Sequence, residues 1–233
     1  MRAAVIQFPG SNCDTDCQAA LTSFPGVEAD LVWHKETSLA GYDAVILPGG
    51  FSYGDYLRCG SIARFSPIMT AVRHAASTGV LVLGICNGFQ ILCEAGLLPG
   101  TLMRNSGLLF RCEHRFLRVE NTATPFTSSF ELGAVLDLPI AHGEGNYFAD
   151  PETLQALNAN NQVLLRYAEA DGNISVAANP NGSLENIAGI CSHGRNVFGL
   201  MPHPERVCDL LLGGTDGRGI FESMIDAVSS VRA

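Results

Sequence analysis

The sequence predicts an α/β fold, a three-layer sandwich in which a mostly parallel central sheet lies between helices, with a small antiparallel addition. Two observations support this fold class. Short apolar runs alternate with helical patterns along much of the chain, which implies parallel strands joined by right-handed crossovers. The 233 residues are 47% hydrophobic and 16% charged, enough to fill a sizeable core. No linker divides the chain, so we expect one domain over residues 1–233.

Four short apolar runs in the first half of the chain predict strands, and turn signals separate them. These strands cover 3–8, 31–33, 43–47 and 81–85. Three helices are predicted between or after them, each with a capping or terminating residue. The helices cover 13–23, after a Pro-Gly-Ser-Asn turn, 66–77, which begins with Ser-Pro, and 87–94, which ends before Ala-Gly.

The second half of the chain predicts half-exposed antiparallel strands before the fold returns to buried elements. Residues 116–120 alternate in polarity, and 135–141 form another strand that ends in a loop carrying His142 and Glu144. Residues 151–194 predict a helix followed by two or three strands, without a chemical motif. The last predicted elements are a buried strand over 197–201 and an amphipathic helix over 219–231.

Cys86 lies in the turn between strand 81–85 and the next helix, with Gly84 and Gly88 on either side. A side chain in such an elbow projects from the carboxyl edge of the sheet. The first turn of a helix has unpaired N–H groups and partial positive charge, which favours a thiolate. Cys86 is therefore a candidate nucleophile. The alternative is a small core residue, because free cysteines are often buried.

Two further segments follow strands at the same edge of the sheet. Pro48-Gly49-Gly50 could let the backbone approach a ligand closely, although an ordinary turn has the same composition. His203 lies between two prolines, which we expect to hold the backbone extended, so that Glu205 lies on the same side and orients the imidazole. A capping or surface histidine is the alternative.

Together these residues predict a nucleophilic triad of Cys86, His203 and Glu205. The amide after Cys86 and an amide of the Gly49-Gly50 loop could hold an oxyanion. The predicted reaction is acyl transfer from an amide or ester through a thioester, followed by hydrolysis. His142 and Glu144 could face the same cleft, but polar residues after a strand more often form a turn.

Charge and cysteine content limit the partners and the compartment. The formal net charge of −9 argues against nucleic acid or an anionic membrane as a partner. Eight scattered cysteines fit reduced thiols rather than a disulfide scaffold, and no second ligand pair accompanies Cys13 and Cys17, so no metal site is predicted. Neither a signal peptide nor a membrane span is evident, and we expect a cytoplasmic protein.

The motifs resemble those of class I glutamine amidotransferases, which have a Pro-Gly-Gly loop, a Gly-Ile-Cys-x-Gly-x-Gln elbow and a late His-Pro-Glu. Here these motifs lie at 48–50, 84–90 and 203–205. Longer segments are similar to the glutaminase-subunit family of phosphoribosylformylglycinamidine synthases. They are FPGSNCD from Phe8, GGFSYGDYLRCGSIARF from Gly49, GICNGFQIL from Gly84, AHGEGNYF from Ala141 and MPHPER from Met201.

This resemblance implies a flavodoxin-like sandwich and a role for each matching residue. Cys86 would attack the side-chain amide of glutamine, His203 would protonate the departing ammonia and activate water, and Glu205 would hold His203. The oxyanion hole would be the amides of Gly50 and Asn87. The glutamine pocket would be lined by Phe51, Gln90 and His142.

The resemblance also implies partners. Ammonia would pass to a large ATP-using synthetase subunit, with a small third subunit bridging the assembly, to convert formylglycinamide ribonucleotide to its amidine in purine synthesis. The sequence has no Gly-x-x-x-x-Gly-Lys-Ser/Thr loop, so we expect no cofactor in this chain and ATP with Mg²⁺ on the synthetase.

Two other functions remain open from the residues themselves. One is a stand-alone cysteine hydrolase or stress-response protein of the related elbow-bearing sandwich type. The other is a regulatory subunit that keeps the fold only for binding. A His-Pro-Glu segment favours the amidotransferase over the first, and the intact set of Cys86, His203 and Glu205 argues against the second.

Overall fold

The computed structural model describes residues 1–232, which form eleven strands and five α-helices. The strands are β1 (Arg2–Gln7), β2 (Glu28–Trp33), β3 (Ala44–Leu47), β4 (Leu81–Ile85), β5 (Thr101–Met103), β6 (Arg111–Val119), β7 (Val135–His142), β8 (Asn146–Phe148), β9 (Val163–Ala168), β10 (Ile187–Cys191) and β11 (Val197–Leu200). The helices are α1 (Asp14–Thr22), α2 (Ile68–Ser77), α3 (Asn87–Glu94), α4 (Pro151–Ala159) and α5 (Arg218–Arg232).

Nine of these strands form one mixed sheet, in the order β2-β1-β3-β4-β11-β10-β9-β6-β7. The first five pair in parallel, and β10, β9, β6 and β7 continue the sheet through antiparallel pairs. Following the pairs across the sheet, β10 and β6 run against the other strands, so the sheet is mostly parallel as predicted. The separate antiparallel pair of β5 and β8 is the small addition.

Crossover handedness places helices on both faces of the sheet. Helix α1 connects β1 to β2 in one direction along the sheet, whereas α2 connects β3 to β4 in the other. Right-handed crossovers in opposite directions lie on opposite faces, which gives the three layers that the sequence predicts. The strand order reverses between β1 and β3, and ligands of open α/β sheets bind outside the carboxyl ends of the strands at such a point.

The loops after β1 and β3 meet at this reversal point. Ser11 and Gly50 form an isolated antiparallel bridge, and the Phe51 N–H donates to the Gly10 carbonyl at 2.9 Å. A Cβ atom built on Gly50 would lie 2.7 Å from the Ser11 Cα atom, so the two loops can approach this closely only through glycine. The contact brings the glycine loop to the edge of the sheet where β4 ends.

Three predictions about individual elements need correction. Strand β6 begins at Arg111 rather than at 116, because its charged first half pairs through the backbone with β7, where Arg111 lies opposite His142. His142 is the last residue of β7 and is 3% exposed, so it is not a loop residue. The segment after β11 does not stay extended, since Pro204–Arg206 form a 3-10 turn.

The amphipathic C-terminal helix was predicted over 219–231 and is observed as α5. Ile220, Phe221 and Met224 are fully buried, and Ile225 and Val228 are partly buried against the core. Their helical spacing therefore identified the face that packs on the rest of the domain. Among the described residues, no helix is long and apolar enough to cross a membrane.

Helix α3 packs closely on the sheet through Gly88. A Cβ atom built on this residue would overlap the carbonyl oxygen of Leu47, the last residue of β3. The neighbouring Gly84 likewise leaves no space, because its Cβ would meet the Gly88 backbone at 2.7 Å. The helix that begins at the Cys86 elbow is therefore held against the ends of two strands by backbone contact.

We expect Gly88→Ala to lower the free energy of unfolding by about 2–3 kcal/mol, because the added methyl must push α3 off β3. Urea denaturation would measure the change. Gly214→Ala is the matched control, since its new methyl would only touch the Val207 side chain at 3.9 Å. Equal stability of the two variants would contradict the close packing of α3.

Candidate active site

Cys86 occupies a strained backbone position between β4 and α3. Its φ of 50° and ψ of −104° lie outside the regions that side-chain-bearing residues normally adopt, at a cost of about 1–3 kcal/mol. The Cys86 N–H donates to the Leu200 carbonyl of β11 at 2.8 Å, which ties the elbow to the neighbouring strand. The sulfur lies 3.7 Å from the Ala141 carbonyl oxygen near the end of β7. The elbow predicted from the sequence is thus present, with its sulfur close to the end of β7.

His203 and Glu205 form a buried hydrogen-bonded pair. The Nδ1 atom of His203 lies 2.6 Å from Oε1 of Glu205, and neither residue is more than 2% exposed. The 3-10 turn begins directly after His203, so that the side chains of His203 and Glu205, two residues apart in sequence, face each other. The His203 N–H donates to the Pro139 carbonyl of β7 at 2.8 Å, which anchors the turn to the sheet. Prediction of the pair from sequence spacing is correct, although the backbone is turned rather than extended.

The environment of His203 favours its charged form. Burial opposes protonation, but the Glu205 carboxylate and the Cys86 sulfur together raise the pKa of His203 well above its ordinary value. Its Nε2 atom is buried without a hydrogen-bond partner among the described residues. With Nδ1 engaged by Glu205, Nε2 is the ring atom that is free to exchange a proton with a substrate or with a thiol.

A cavity of about 350 Å³ opens beside the Cys86 thiol. Of the predicted site residues, Gly50, Phe51, Cys86, Gln90 and His142 line it. A smaller cavity of about 100 Å³ shares Gly50, Phe51 and Cys86 and reaches His203. The predicted nucleophile, base and glycine loop all line the smaller cavity, which shares part of its wall with the larger one.

The backbone of the elbow supplies donors close to the thiol. Asn87 is the first residue of α3, so its N–H has no partner within the helix. Gly50 has a φ of 147° and lies in the cavity wall. The amides of these two residues are the predicted oxyanion hole, and both residues lie in the segments that surround Cys86.

The side chains of Asn87 and Gln90 brace the site. Gln90 Nε2 donates to the Glu144 carbonyl at 2.6 Å, and Gln90 Oε1 accepts from Asn87 Nδ2 at 2.9 Å. The Asn87 Oδ1 atom in turn accepts from the Ser52 N–H at 3.2 Å. Gln90 lines the cavity as predicted. Its side-chain amide connects α3 to the segment after β7, and the Asn87 side chain connects α3 to the segment after β3.

His142 lines the cavity and is held in place by other side chains. Its Nδ1 lies 3.1 Å from Asn105 Oδ1, and its Nε2 lies 3.5 Å from Asn181 Nδ2. Burial, together with the charge of His203, lowers the pKa of His142 to about 4. The ring is therefore neutral at pH 7, and it contributes a wall to the cavity.

Several residues at the site were not found by sequence reasoning. Arg206 Nη2 lies 3.0 Å from the Cys13 sulfur, in the same small cavity as His203. Asp55 and Arg104 line the larger cavity together with Glu144, for which the sequence had left a place in the cleft open. No spacing signal could reveal these contacts, because they join segments that are distant in the chain.

One group of possible metal ligands occurs among the described residues. Cys13, His203 and Glu205 offer ligand atoms that lie within 4.8 Å of one another. These groups are already engaged, since Glu205 holds His203 and the Arg206 guanidinium contacts the Cys13 sulfur. A cation here would have to displace a positively charged side chain, so the arrangement suits proton transfer better than metal binding.

Comparison with known proteins agrees with this geometry. The family model described as a CobB/CobQ-like glutamine amidotransferase domain matches residues 1–213. The PurQ subunit of phosphoribosylformylglycinamidine synthase from Moorella thermoacetica is 60% identical over 97% of this chain and 96% of its own length. Its counterpart from Salinibacter ruber is 58% identical over 100% of this chain and 99% of its own.

Solved structures give a consistent result. A chain in the structure of PurLQS from Thermotoga maritima is 45% identical, covers 97% of this chain and 98% of its own length, and superposes with a TM-score of 0.87. A more distant glutamine amidotransferase from Thermotoga maritima shares the fold, with a TM-score of 0.56 at 15% identity over 100% of this chain and 85% of its own length.

Fold, elbow and sequence matches define this chain as a glutamine amidotransferase. Within that class it belongs to the family of PurQ subunits of phosphoribosylformylglycinamidine synthase, with which it aligns over essentially its full length. The resemblance seen in the motifs is thereby confirmed.

The low pKa of His142 predicts a stability change in acid. The unfolded chain binds a proton near pH 6.5 and the folded chain only near pH 4, so stability is complete above pH 6.5 and falls as the pH drops toward 4. The loss from this group amounts to about 3 kcal/mol. Urea denaturation across this range should show a smaller loss for His142→Gln, which cannot be protonated. Parallel curves for the two proteins would contradict the assignment.

Proposed function

We propose that this chain hydrolyses L-glutamine to L-glutamate and ammonia through a thioester on Cys86. The observation that carries the proposal is the placement of the Cys86 thiol, on a strained elbow, in the cavity system that also reaches the buried His203–Glu205 pair. A nucleophile and a base that line one cavity, with an acid hydrogen-bonded to the base, make up the machinery of acyl transfer.

The proposed reaction has two steps. In the first, the Cys86 sulfur attacks the side-chain amide carbon, and the C–N bond breaks as His203 delivers a proton to the departing ammonia. In the second, His203 takes a proton from water as the water attacks the thioester, and it passes this proton to the departing Cys86 sulfur as glutamate is released. The Glu205 carboxylate favours the imidazolium form of His203, in keeping with its raised pKa, and holds Nε2 toward the reacting atoms.

The negative oxygen formed in each step needs hydrogen-bond donors. We assign this role to the amides of Gly50 and Asn87, one from each segment that borders the thiol. Removal of one such donor costs about 2.7–4 kcal/mol in comparable enzymes. The close packing of α3 and the Ser11–Gly50 bridge fix these two backbone segments. Their amides therefore need little rearrangement to donate hydrogen bonds to the negative oxygen.

The ammonia passes, in our proposal, to a synthetase subunit that converts formylglycinamide ribonucleotide to its amidine, with ATP and Mg²⁺ bound by that partner. A third, small subunit would bridge the assembly. The support is family membership and the relative solved as part of PurLQS. The comparisons lend no support to the alternative of a stand-alone cysteine hydrolase or stress-response protein.

We propose that the synthetase docks around the larger cavity. We define the cavity rim as six large apolar residues that are 46–93% exposed, three that line the cavity and three within two residues of a lining residue: Phe51, Leu108 and Phe110, with Tyr56, Leu57 and Leu109. The rings of Phe51 and Phe110 are 6.4 Å apart, so the rim joins two segments of the chain. Exposed apolar residues grouped in this way are typical of protein-binding sites. A partner seated on the rim would also keep ammonia from escaping to solvent.

The first test replaces the nucleophile. In the complex with its synthetase, Cys86→Ala should lower glutamine-dependent amidine synthesis by at least about 10³-fold, because the thioester cannot form. Synthesis from added ammonium chloride should persist. Cys112→Ala is the control, since Cys112 is the exposed cysteine among those in the described residues. Retention of glutamine-dependent synthesis by Cys86→Ala would refute the mechanism.

The second test addresses the rim. Leu57→Asp places a charge on a side chain that is 93% exposed, and aspartate tolerates the φ of 70° found there better than leucine does. We expect at least tenfold weaker binding to the synthetase subunit, measured by titration calorimetry. Leu132→Asp, at a residue that is 72% exposed and outside the rim, should bind normally. Equal affinities would exclude the rim as the docking surface.

A further inference from the structure

Arg206 lies beside the His203–Glu205 pair, and the proposed reaction does not use it. It is the last residue of the 3-10 turn after β11, and its Nε atom lies 4.0 Å from Glu205 Oε1. Arg206 also lines the smaller cavity, whose wall includes Cys86 and His203. One positive charge is therefore placed next to the proposed acid and close to the proposed nucleophile.

The charge of Arg206 is not neutralised by a close carboxylate. Among the described residues, its one ion pair within 4.0 Å is with Glu205, whose Oε1 is already engaged by the imidazole. Asp16 and Asp209 line a separate cavity with Arg206, but both are exposed to solvent, which screens their charges. The hydrogen bond that its side chain makes goes to the Cys13 sulfur, at 3.0 Å. A neutral acceptor of this kind leaves the field of the guanidinium intact.

Cys13 is fixed in position by the glycine loop. Its N–H donates to the Gly49 carbonyl at 3.3 Å, and its thiol donates to Asn12 Oδ1 at 3.2 Å. A Cβ atom built on Gly49 would lie 2.7 Å from His203 Cε1 and 3.1 Å from the Cys13 sulfur, so the loop packs against both groups. Cys13 is 1% exposed, whereas the Arg206 side chain is 33% exposed and has access to water. The buried sulfur is thus the contact that holds the guanidinium at the site.

We propose that Arg206 is a positioning residue that favours the thiolate form of Cys86, and that the Cys13 sulfur holds the guanidinium in place for this role. The inference rests on the proposed function in taking Cys86 as the nucleophile. A cation close to a cysteine favours its thiolate, which is the reactive form. Although burial opposes the charged form of Arg206, its interactions with Cys13, Glu205 and Cys86 raise its pKa. The attraction to Cys86 acts in both directions.

Other buried titratable side chains near these groups are neutral at pH 7. Burial, together with the charge of His203, lowers the pKa of His142 to about 4. Burial also raises the pKa of Cys208 to about 12, and it raises the pKa of Cys17 and of Tyr167 well above their ordinary values. None of these four side chains can therefore supply the positive charge that a thiolate needs. That charge comes from His203 and, in our proposal, from Arg206.

The test follows the reactivity of Cys86 as a function of pH. Thiolates rather than thiols react with iodoacetamide, so the full chain is alkylated at a series of pH values and labelling of Cys86 is quantified by peptide mass spectrometry. In Arg206→Gln, we expect the pH of half-maximal alkylation rate to rise by about half to one pH unit, because the thiolate loses a nearby cation. Arg206→Lys keeps the charge and should restore most of the shift. Arg2→Gln removes an equal charge at the start of β1, the opposite edge of the sheet, and should match wild type.

Variants of Cys13 test whether it acts through Arg206. Cys13→Ala removes the sulfur that holds the guanidinium, so it should shift the Cys86 profile in the same direction as Arg206→Gln but by less. In the Arg206→Gln background, Cys13→Ala should add no further shift, since the group that it positions is already absent. A shift of full size in that background would show that Cys13 acts independently and would contradict this part of the proposal.

The pH dependence of glutamine hydrolysis by the complex with the synthetase is the second readout. A positive charge opposes protonation of Cys86 and of His203 alike, so both limbs of the kcat/KM profile should move to higher pH in Arg206→Gln. A purely structural role would lower activity at every pH and leave the limbs where they are. That result would overturn the proposal, and so would alkylation profiles of Arg206→Gln and wild type that superpose.

Alkylation needs no turnover, which separates this inference from the proposed function. If Arg206→Gln shifted the alkylation profile while the wild-type complex released no ammonia from glutamine, the role of Arg206 would stand and the glutaminase assignment would fail. If the wild-type complex hydrolysed glutamine and Arg206→Gln changed neither profile, the reverse would hold.

Discussion

The close contact between the first turn of α3 and the end of β3 is the constraint on which the site depends. Gly88 lies against the Leu47 carbonyl with no room for a side chain, so the helix must begin immediately after β4. That abrupt start forces Cys86 to a φ of 50° and turns its thiol out toward β7. The strain is balanced by the packing of α3, in which Phe89, Ile91 and Leu92 have no exposed surface. The packing of the core therefore determines the position of the Cys86 thiol.

Side-chain hydrogen bonds connect α3 to the other segments that line the cavity. The Asn87–Gln90 pair connects α3 to Ser52 in the glycine-loop segment and to Glu144 beyond β7. Asn105 makes a parallel set of contacts, since its side-chain nitrogen donates to the His142 carbonyl and its oxygen accepts from the Gly145 N–H. Buried networks of this kind hold loops in one arrangement when every member is paired. The segments that carry Ser52 and Glu144 are therefore positioned by the same helix that positions Cys86.

Much of the site could be predicted from the sequence because its central groups are local. Cys86 and its helix are consecutive in the chain, and His203 and Glu205 are two residues apart, so spacing alone indicated an elbow and an ion pair. His142 shows the limit of this reasoning. It was predicted as a loop residue, whereas it ends β7 with its ring between Asn105 and Asn181, and it lines the cavity beside Cys86. Its partners come from distant segments, which no local pattern reveals.

The sequence by itself determined the class of fold, the order of the elements and the identity of the proposed nucleophile, base and acid. These follow from hydrophobic periodicity, turn residues and short-range spacing, which act over a few residues. Only the tertiary structure decided that β9, β6 and β7 extend the main sheet, that Arg206 meets Cys13, and that Asp55 and Glu144 line one cavity. Sheet order and side-chain contacts between remote segments depend on how the whole chain packs, because each is fixed by the simultaneous burial of surfaces that are far apart in sequence.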